Sequence, residues 1–317
     1  MEDWIVRNGL KVVKRDRLRA LSVKSDLKGG VQTVSHIGAI ALTTTGLVLA
    51  GPMGLWALIP LLILHGMLIN CLYAGQHELS HWTVFRTKGW NDVFGHVFGL
   101  ATLNPFLTDR WAHFAHHRAT QDPLKDSELI GMTPYTTARY ILDLIAVDFW
   151  RRRIRSIVRA ALGQGLDADY WLEGNQRLIV IWEARGHVAI WVLLAAGSVA
   201  FHSLAVVEFW LGPLLLTKVF HQLQNTGEHT CMPNDPDIFI NTRTLTGPAP
   251  MRWIFWNMSY HTAHHAYPGV PFHALPALHQ EIVAGLGRSP PTYGYLAAQR
   301  EIFSRLKKSD AEARIAA

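Results

Sequence analysis

The sequence predicts an all-α integral membrane protein, two transmembrane helical hairpins carrying a cytoplasmic helical cap, and three observations predict it. Of its 317 residues 49% are hydrophobic and only 17% charged, where soluble domains carry about a quarter charged. A run from Val31 to Gln76 contains no Asp, Glu, Lys or Arg. Positive charge gathers in blocks beside the apolar stretches instead of being spread along the chain.

Residues 1–30 form a basic segment, with Arg7, Lys11, Lys14, Arg15, Arg17, Arg19, Lys24 and Lys28 set against four acids. Lysine and arginine flanks mark the cytoplasmic ends of spans. The segment is too polar for a signal peptide, so the first apolar span is expected to serve as the insertion signal. Residues 31–76 follow as a first hairpin. A spanning helix needs roughly 20 apolar residues, so the run has room for two, turning at Gly51-Pro52-Met53-Gly54. Residues 77–185 are expected to be cytoplasmic and interfacial. Within them, about 134–165 set Trp150, Ile154, Ile157 and Val158 against Arg151, Arg152, Arg153, Arg155 and Arg159, the pattern of a helix lying in the membrane interface. Residues 186–225 form a second hairpin, breaking near Phe201–Ser203 and kinked by Pro213 on its return. Residues 226–317 are again cytoplasmic, with a polar, partly helical tail after Ser289. The whole chain is read as a single domain, without internal repeats.

The net charge is +6 and the sequence pI about 9.4. No nucleic-acid-reading motif accompanies this charge, so no nucleic-acid partner is expected. Cys71 and Cys231 make no disulfide framework, and Cys71 reads as a small packing residue.

Seventeen histidines are many for this length, and eight of them fall into three clusters. They are His77-Glu-Leu-Ser-His81, His113-Phe-Ala-His116-His117 and His261-Thr-Ala-His264-His265. Residues three and four apart share a helix face, so each cluster can present imidazoles one turn apart from a rigid element. At this histidine content one HxxHH is expected by chance about 0.05 times, and the chain has two. A fourth element is subtler. His221, Asn225 and His229 share a face of the helix leaving the second hairpin, with an amide and an imidazole one turn apart. Under the expected topology all four elements meet on the cytoplasmic side. His36, His65, His96, His187, His202, His221, His273 and His279 receive no role, though His65 and His202 read as packing or interface residues.

The order HxxxH, HxxHH, NxxxH, HxxHH resembles the membrane fatty-acid desaturase family, which includes hydroxylases and related oxygenases. His116-His117-Arg118 with Asp122-Pro123 is similar to its second box. His264-His265-Ala-Tyr-Pro268-Gly-Val270-Pro271, then Leu275-Pro276-Ala-Leu278-His279, is similar to the stretch after its last box. His77-Glu-Leu-Ser-His81 resembles the first box of sphingolipid desaturases and some bacterial members. The likeness covers about 70–279. It implies nine metal ligands, His77, His81, His113, His116, His117, His229, His261, His264 and His265. Resemblance to acyl-CoA desaturases divides them as His77, His81, His113, His117 and His265 on one iron. The other iron takes His116, His229, His261 and His264, with a water held by Asn225.

An all-imidazole shell suits iron, since hard cations want oxygen and Cu(I) wants sulfur. Two ferrous ions with O2 as co-substrate can take hydrogen from an unactivated C–H bond. A second abstraction makes a double bond, and hydroxyl rebound makes an alcohol. Desaturation of a fatty-acyl or other lipid-like substrate drawn from the bilayer is the expected reaction. The alternative is a hydroxylase or monooxygenase acting on a lipid or small specialised metabolite. Glu78, Asp109 and Glu228 are the candidate carboxylates for orienting imidazole N–H groups. Two cysteines cannot hold an iron–sulfur cluster, so an external donor of ferredoxin or cytochrome type with its reductase is expected. Two rivals remain. His77-Glu78-Leu-Ser-His81 also matches the HExxH of zinc proteases, but that reading leaves most clustered histidines without a task. A transporter would want ionisable residues along its spans, and these spans are nearly free of them.

Overall fold

A computed structural model describes residues 4–129, 135–164 and 171–316. Residues 134 and 165, the ends of the expected interfacial segment, lie outside them. The chain begins with an antiparallel hairpin, β1 (Trp4–Arg7) and β2 (Leu10–Lys14). Asn8 and Gly9, both at positive φ, supply the turn that two-residue hairpins demand. The basic segment is therefore part strand. Val12 packs with Ile282 and Leu278, where Gly285 leaves no room for a Cβ against the Val12 carbonyl. After α1 (Arg15–Leu21), Ser25 caps α2 (Asp26–Ala50) by accepting from the Lys28 amide. A 3-10 turn over Gly51–Met53 and Gly54 at φ 91° reverse the chain into α3 (Leu55–Ser80).

At about 1.5 Å per residue these helices exceed the ~30 Å hydrocarbon layer. Val31, Val34, Leu42, Leu49, Leu55 and Trp56 are exposed on them, as lipid-facing surfaces require. From Leu68 to Ser80 nearly every α3 residue is buried, so this helix runs from an exposed apolar stretch into the core that holds the histidines. The end of that core joins Leu72, Phe98, Phe106, Phe255 and Trp256.

The helices α4 (Lys88–Ala101) and α5 (Phe106–Ala119) come next. The expected interfacial helix is two, α6 (Thr137–Leu144) and α7 (Val147–Ala161), divided at Ala146 in the left-handed region. Ile157 and Ala160 of α7 pack on Val180 and Ala184 of α8 (Gln176–Ala200), while Arg151, Arg152 and Arg155 face outward. Among the described residues three helices are long and apolar enough to cross a membrane: Asp26–Met53, Leu55–Ser80 and Gln176–Ala200.

The returning arm after α8 is in pieces where a single kinked helix was expected. A π turn over Val207–Leu211 leads to α9 (Gly212–Leu216), a break at Thr217, and α10 (Lys218–His229). Pro213 has no N–H, which orphans the carbonyl four residues earlier. His65 Nε2 donates to that carbonyl, Phe209 O, at 2.8 Å, and its Nδ1 accepts from Thr43 at 2.7 Å. The break orphans Leu214 O, to which Asn70 Nδ2 donates at 2.9 Å. Side chains of α3 thus satisfy the backbone groups that the broken arm frees, as apolar surroundings require.

The chain closes with α11 (Ile238–Asn241), β3 (Thr244–Thr246), α12 (Ala249–Ile254), α13 (His261–Ala266), α14 (Leu275–Leu286), β4 (Thr292–Gly294) and α15 (Tyr295–Ala316). Strands β3 and β4 pair in parallel. The protein is mostly helical, as expected, with two small two-stranded sheets beside the helices. The segment limits at 30, 76, 185 and 225 all fall inside helices, because each helix runs on past the limit of its apolar stretch.

Candidate metal centre

Four elements converge on one site. The end of α3 carries His77, with His81 as its C-cap residue. Helix α5 carries His113, His116 and His117; α10 ends on His229; and α13 carries His261, His264 and His265. Their ligand atoms form two groups, each within 4.8 Å: His77, His81, His113, His117 and His264, and His116, His229, His261 and His265.

Several of these nitrogens lie close together. In the first group Nε2 atoms of His81 and His113 lie 2.9 Å apart, His113 and His117 2.8 Å, and His117 and His264 3.1 Å. In the second, His229 Nε2 is 3.2 Å from His116 and 2.7 Å from His261. Two nitrogens bound at right angles to one ion, each about 2.1 Å from it, stand about 3.0 Å apart. A neutral imidazole has one proton, and several of these rings turn Nδ1 towards an acceptor instead. An Nε2 without its proton presents a lone pair to its neighbours, and a cation between such nitrogens would accept them together. His265 Nε2 is buried without a hydrogen-bond partner, as a ligand awaiting an ion would be.

The outer nitrogens face buried oxygens. His116 Nδ1 lies 2.8 Å from Asp126, His264 Nδ1 3.1 Å from Glu78, His261 Nδ1 3.5 Å from Glu228 and His265 Nδ1 3.3 Å from Thr120. Glu78 also approaches His77 Nδ1 at 3.8 Å and is fully buried. Such partners set tautomer and ring orientation. Burial pushes His113, His117, His261 and His265 well below the usual histidine range, favouring the neutral form that binds metal. His116 is the exception: burial lowers it, but the Glu128 and Asp126 carboxylates raise it further. Burial also holds the Glu228 carboxyl well above its ordinary range.

Glu78 and Glu228 therefore stand where carboxylates behind imidazoles were expected. Asp109 does not: its ion pair is with Arg153 at 4.0 Å. Asp126 was missed. It sits in a loop where it also accepts from the amides of Gln121 and Glu128, and only its place among the three acids after the second box hinted at it. Asn225, one turn before His229, lines a cavity with Tyr73, His77, Glu128, His221 and His261.

The grouping differs from the division that the resemblance implied, exchanging His264 and His265. On a helix, side chains four apart lie one above the other. His261 and His265 have ring centroids 4.4 Å apart, against 6.0 Å for His261 and His264. His264 reaches across to Glu78 on α3 instead. The same rule governs α5, where His113 and His117 share a group and His116 joins the other. In each HxxHH the i, i+4 pair lies in one group and the i+3 residue in the other.

The Fatty acid desaturase family profile matches residues 54–297, which contain all nine histidines. The dihydrorhizobitoxine desaturase of Bradyrhizobium elkanii is 27% identical over 247 residues, 69% of this chain and 66% of that protein. A fatty acid desaturase of Bacillus subtilis is 24% identical over 223 residues, 64% of this chain and 62% of its own length. An sn-1 oleoyl-lipid 12-desaturase of a Picosynechococcus species is 25% identical over 269 residues, 73% and 71% of the two chains. The chain thus spans about two thirds of the length of these relatives. With a profile match running from the first candidate turn to the last helix and two buried histidine groups inside it, the chain belongs to the fatty acid desaturase family.

Proposed function

We propose that the two histidine groups hold two iron ions and that the protein is a membrane, O2-dependent desaturase of a fatty-acyl or other lipid-like substrate. The observation that carries this is the pair of groups, five and four imidazoles with carboxylates behind them and no sulfur or carboxylate among the ligand atoms. Iron bound there supplies the redox chemistry with O2 that removing hydrogen from an unactivated C–H bond needs. The protein's own part is positional. Glu78 and Asp126 keep protons on the outer nitrogens, so that Nε2 faces inward, and their charge offsets that of the ions, while Glu228 faces the outer nitrogen of His261. Asn225 holds a water on the four-histidine side. Burial of the histidines excludes bulk water from the reacting centre.

Glu78 is fully buried against two imidazoles, which suits a supporting carboxylate and not the general base of a zinc protease. The named activities of the relatives favour a double bond over an alcohol as the product. We further propose four spans, α9 and α10 completing the second hairpin. The termini and the site then lie on the cytoplasmic side, beside the outward arginines of α7. Electrons come from an external ferredoxin- or cytochrome-type donor with its reductase. The test is to supply detergent-purified protein with reductase, donor, O2 and candidate acyl lipids, then analyse products by mass spectrometry. Loss of two hydrogens supports the reading, and gain of one oxygen makes the protein a hydroxylase. Neither change across acyl lipids and small amphipathic metabolites overturns it.

A further inference from the structure

The helix that carries the second histidine cluster begins without a cap of its own. Its N-cap residue is Pro105, which has no side-chain acceptor. The first amides of a helix have no partner within it, and here they are supplied from a distant element. Glu183, on the third candidate span α8, accepts from the Leu107 amide at 2.8 Å through Oε1. Its Oε2 accepts from the Thr108 amide and from the Thr108 hydroxyl, each at 3.0 Å. His96 of α4 also faces it, at 3.4 Å. The Glu183 side chain is only 6% exposed, so water does not compete for these bonds. A carboxylate at this end also meets the positive end of the helix dipole.

We propose that Glu183 is a positioning residue of the metal centre: from the membrane-spanning helix α8 it fixes the start of α5 and thereby the aim of His113, His116 and His117. The inference rests on the metal reading above. The three histidines begin five residues after the capped amides, on one short rigid helix. They serve both groups, His113 and His117 the first and His116 the second. Loss of the cap therefore loosens both ions together, whereas loss of a carboxylate behind one imidazole loosens one. Glu183 also anchors the site to the bilayer-facing scaffold, since α5 packs on α8 through this contact.

The experiment uses full-length, iron-loaded protein in detergent and follows extraction of iron by a chelator. In Glu183→Ala both irons should leave about ten-fold faster or more, the scale seen when groups orienting metal ligands are removed. Glu183→Gln, which keeps the size and one acceptor, should fall between. Pro105→Asp in the Glu183→Ala background restores a local cap and should recover most of the retention. A side chain that merely fills space would not be rescued in this way. Leu178→Ala, on the exposed face of α8, should behave as wild type. If wild-type protein holds two irons and Glu183→Ala and Glu183→Gln release them at the wild-type rate, the positioning role is wrong. A faster release that Pro105→Asp leaves uncorrected overturns it too. If wild-type protein holds no iron, it is the metal reading that fails.

Discussion

Asp126→Asn is the perturbation that tests whether the two histidine groups act separately. Asp126 is 1% exposed. Its Oδ1 faces His116 Nδ1 at 2.8 Å and accepts from the Glu128 amide at 2.9 Å; its Oδ2 accepts from the Gln121 amide at 2.8 Å. Asparagine has the same shape but only one acceptor oxygen. In either orientation its NH2 meets an N–H, leaving a buried donor unmatched and weakening the hold on His116. Losing a hydrogen bond to a charged group costs about 1.5–3 kcal/mol, which is about ten- to hundred-fold in affinity. Only His116 is affected directly, and it belongs with His229, His261 and His265. Chelator extraction from iron-loaded protein should thus become biphasic, one iron leaving about ten- to hundred-fold faster and the other at its wild-type rate. Release of both irons at the wild-type rate would refute the reasoning, and equal acceleration of both would show that the groups are not independent.

Cobalt-loaded variants test the division of the third box. His265→Ala should change the visible spectrum as His229→Ala does, and His264→Ala as His77→Ala does; a match of His264→Ala with His229→Ala would restore the opposite division. Acid should weaken the iron-free fold. Burial holds His113, His117, His261 and His265 well below 6.5 when folded, while unfolded they titrate near that value. Their neutral burial is fully favourable above it and is lost as pH falls, by up to about 1.4 kcal/mol per unit for each histidine. His116 shifts the other way but is one against four. The Tm should therefore drop between about pH 7.5 and pH 5.5, and an unchanged Tm would mean the rings are not buried uncharged. His65→Leu should lower the Tm of the detergent-solubilised protein by orphaning Phe209 O, a cost of about 1–3 kcal/mol. A neutral result would show that the broken arm has another partner for that carbonyl.

What the sequence disclosed depended on the range of the signal. The long helices α2 and α3 and the turn between them were legible because a charge-free run and the Gly51–Gly54 turn are local. Helix α3 runs on to Ser80, since nothing between Gln76 and Ser80 breaks a helix, and this continuity delivers the first box rigidly. Pro213 announced a kink but not the π turn, whose stabilising group, His65, comes from another helix. Strands of three to five residues are too short to show alternation, although Asn8-Gly9 was a readable hairpin turn obscured by the basic run around it. The nine histidines were visible as clusters. Their grouping follows helix geometry, since side chains at i and i+4 stack, and that rule sets His265 beside His261, as the ligand-atom groups do. The carboxylates were hardest. Asp109 is one turn from His113 and looked well placed, yet it turns to Arg153, while Asp126 reaches His116 from a loop that no periodicity marks.

The central claim is that the histidines hold two irons, and metal content tests it most directly. Elemental analysis of detergent-purified protein should give about two irons per chain, falling in both His229→Ala and His264→Ala. One zinc per chain, unaffected by those two changes and lost in His77→Ala, would contradict the account and return the HExxH motif to consideration.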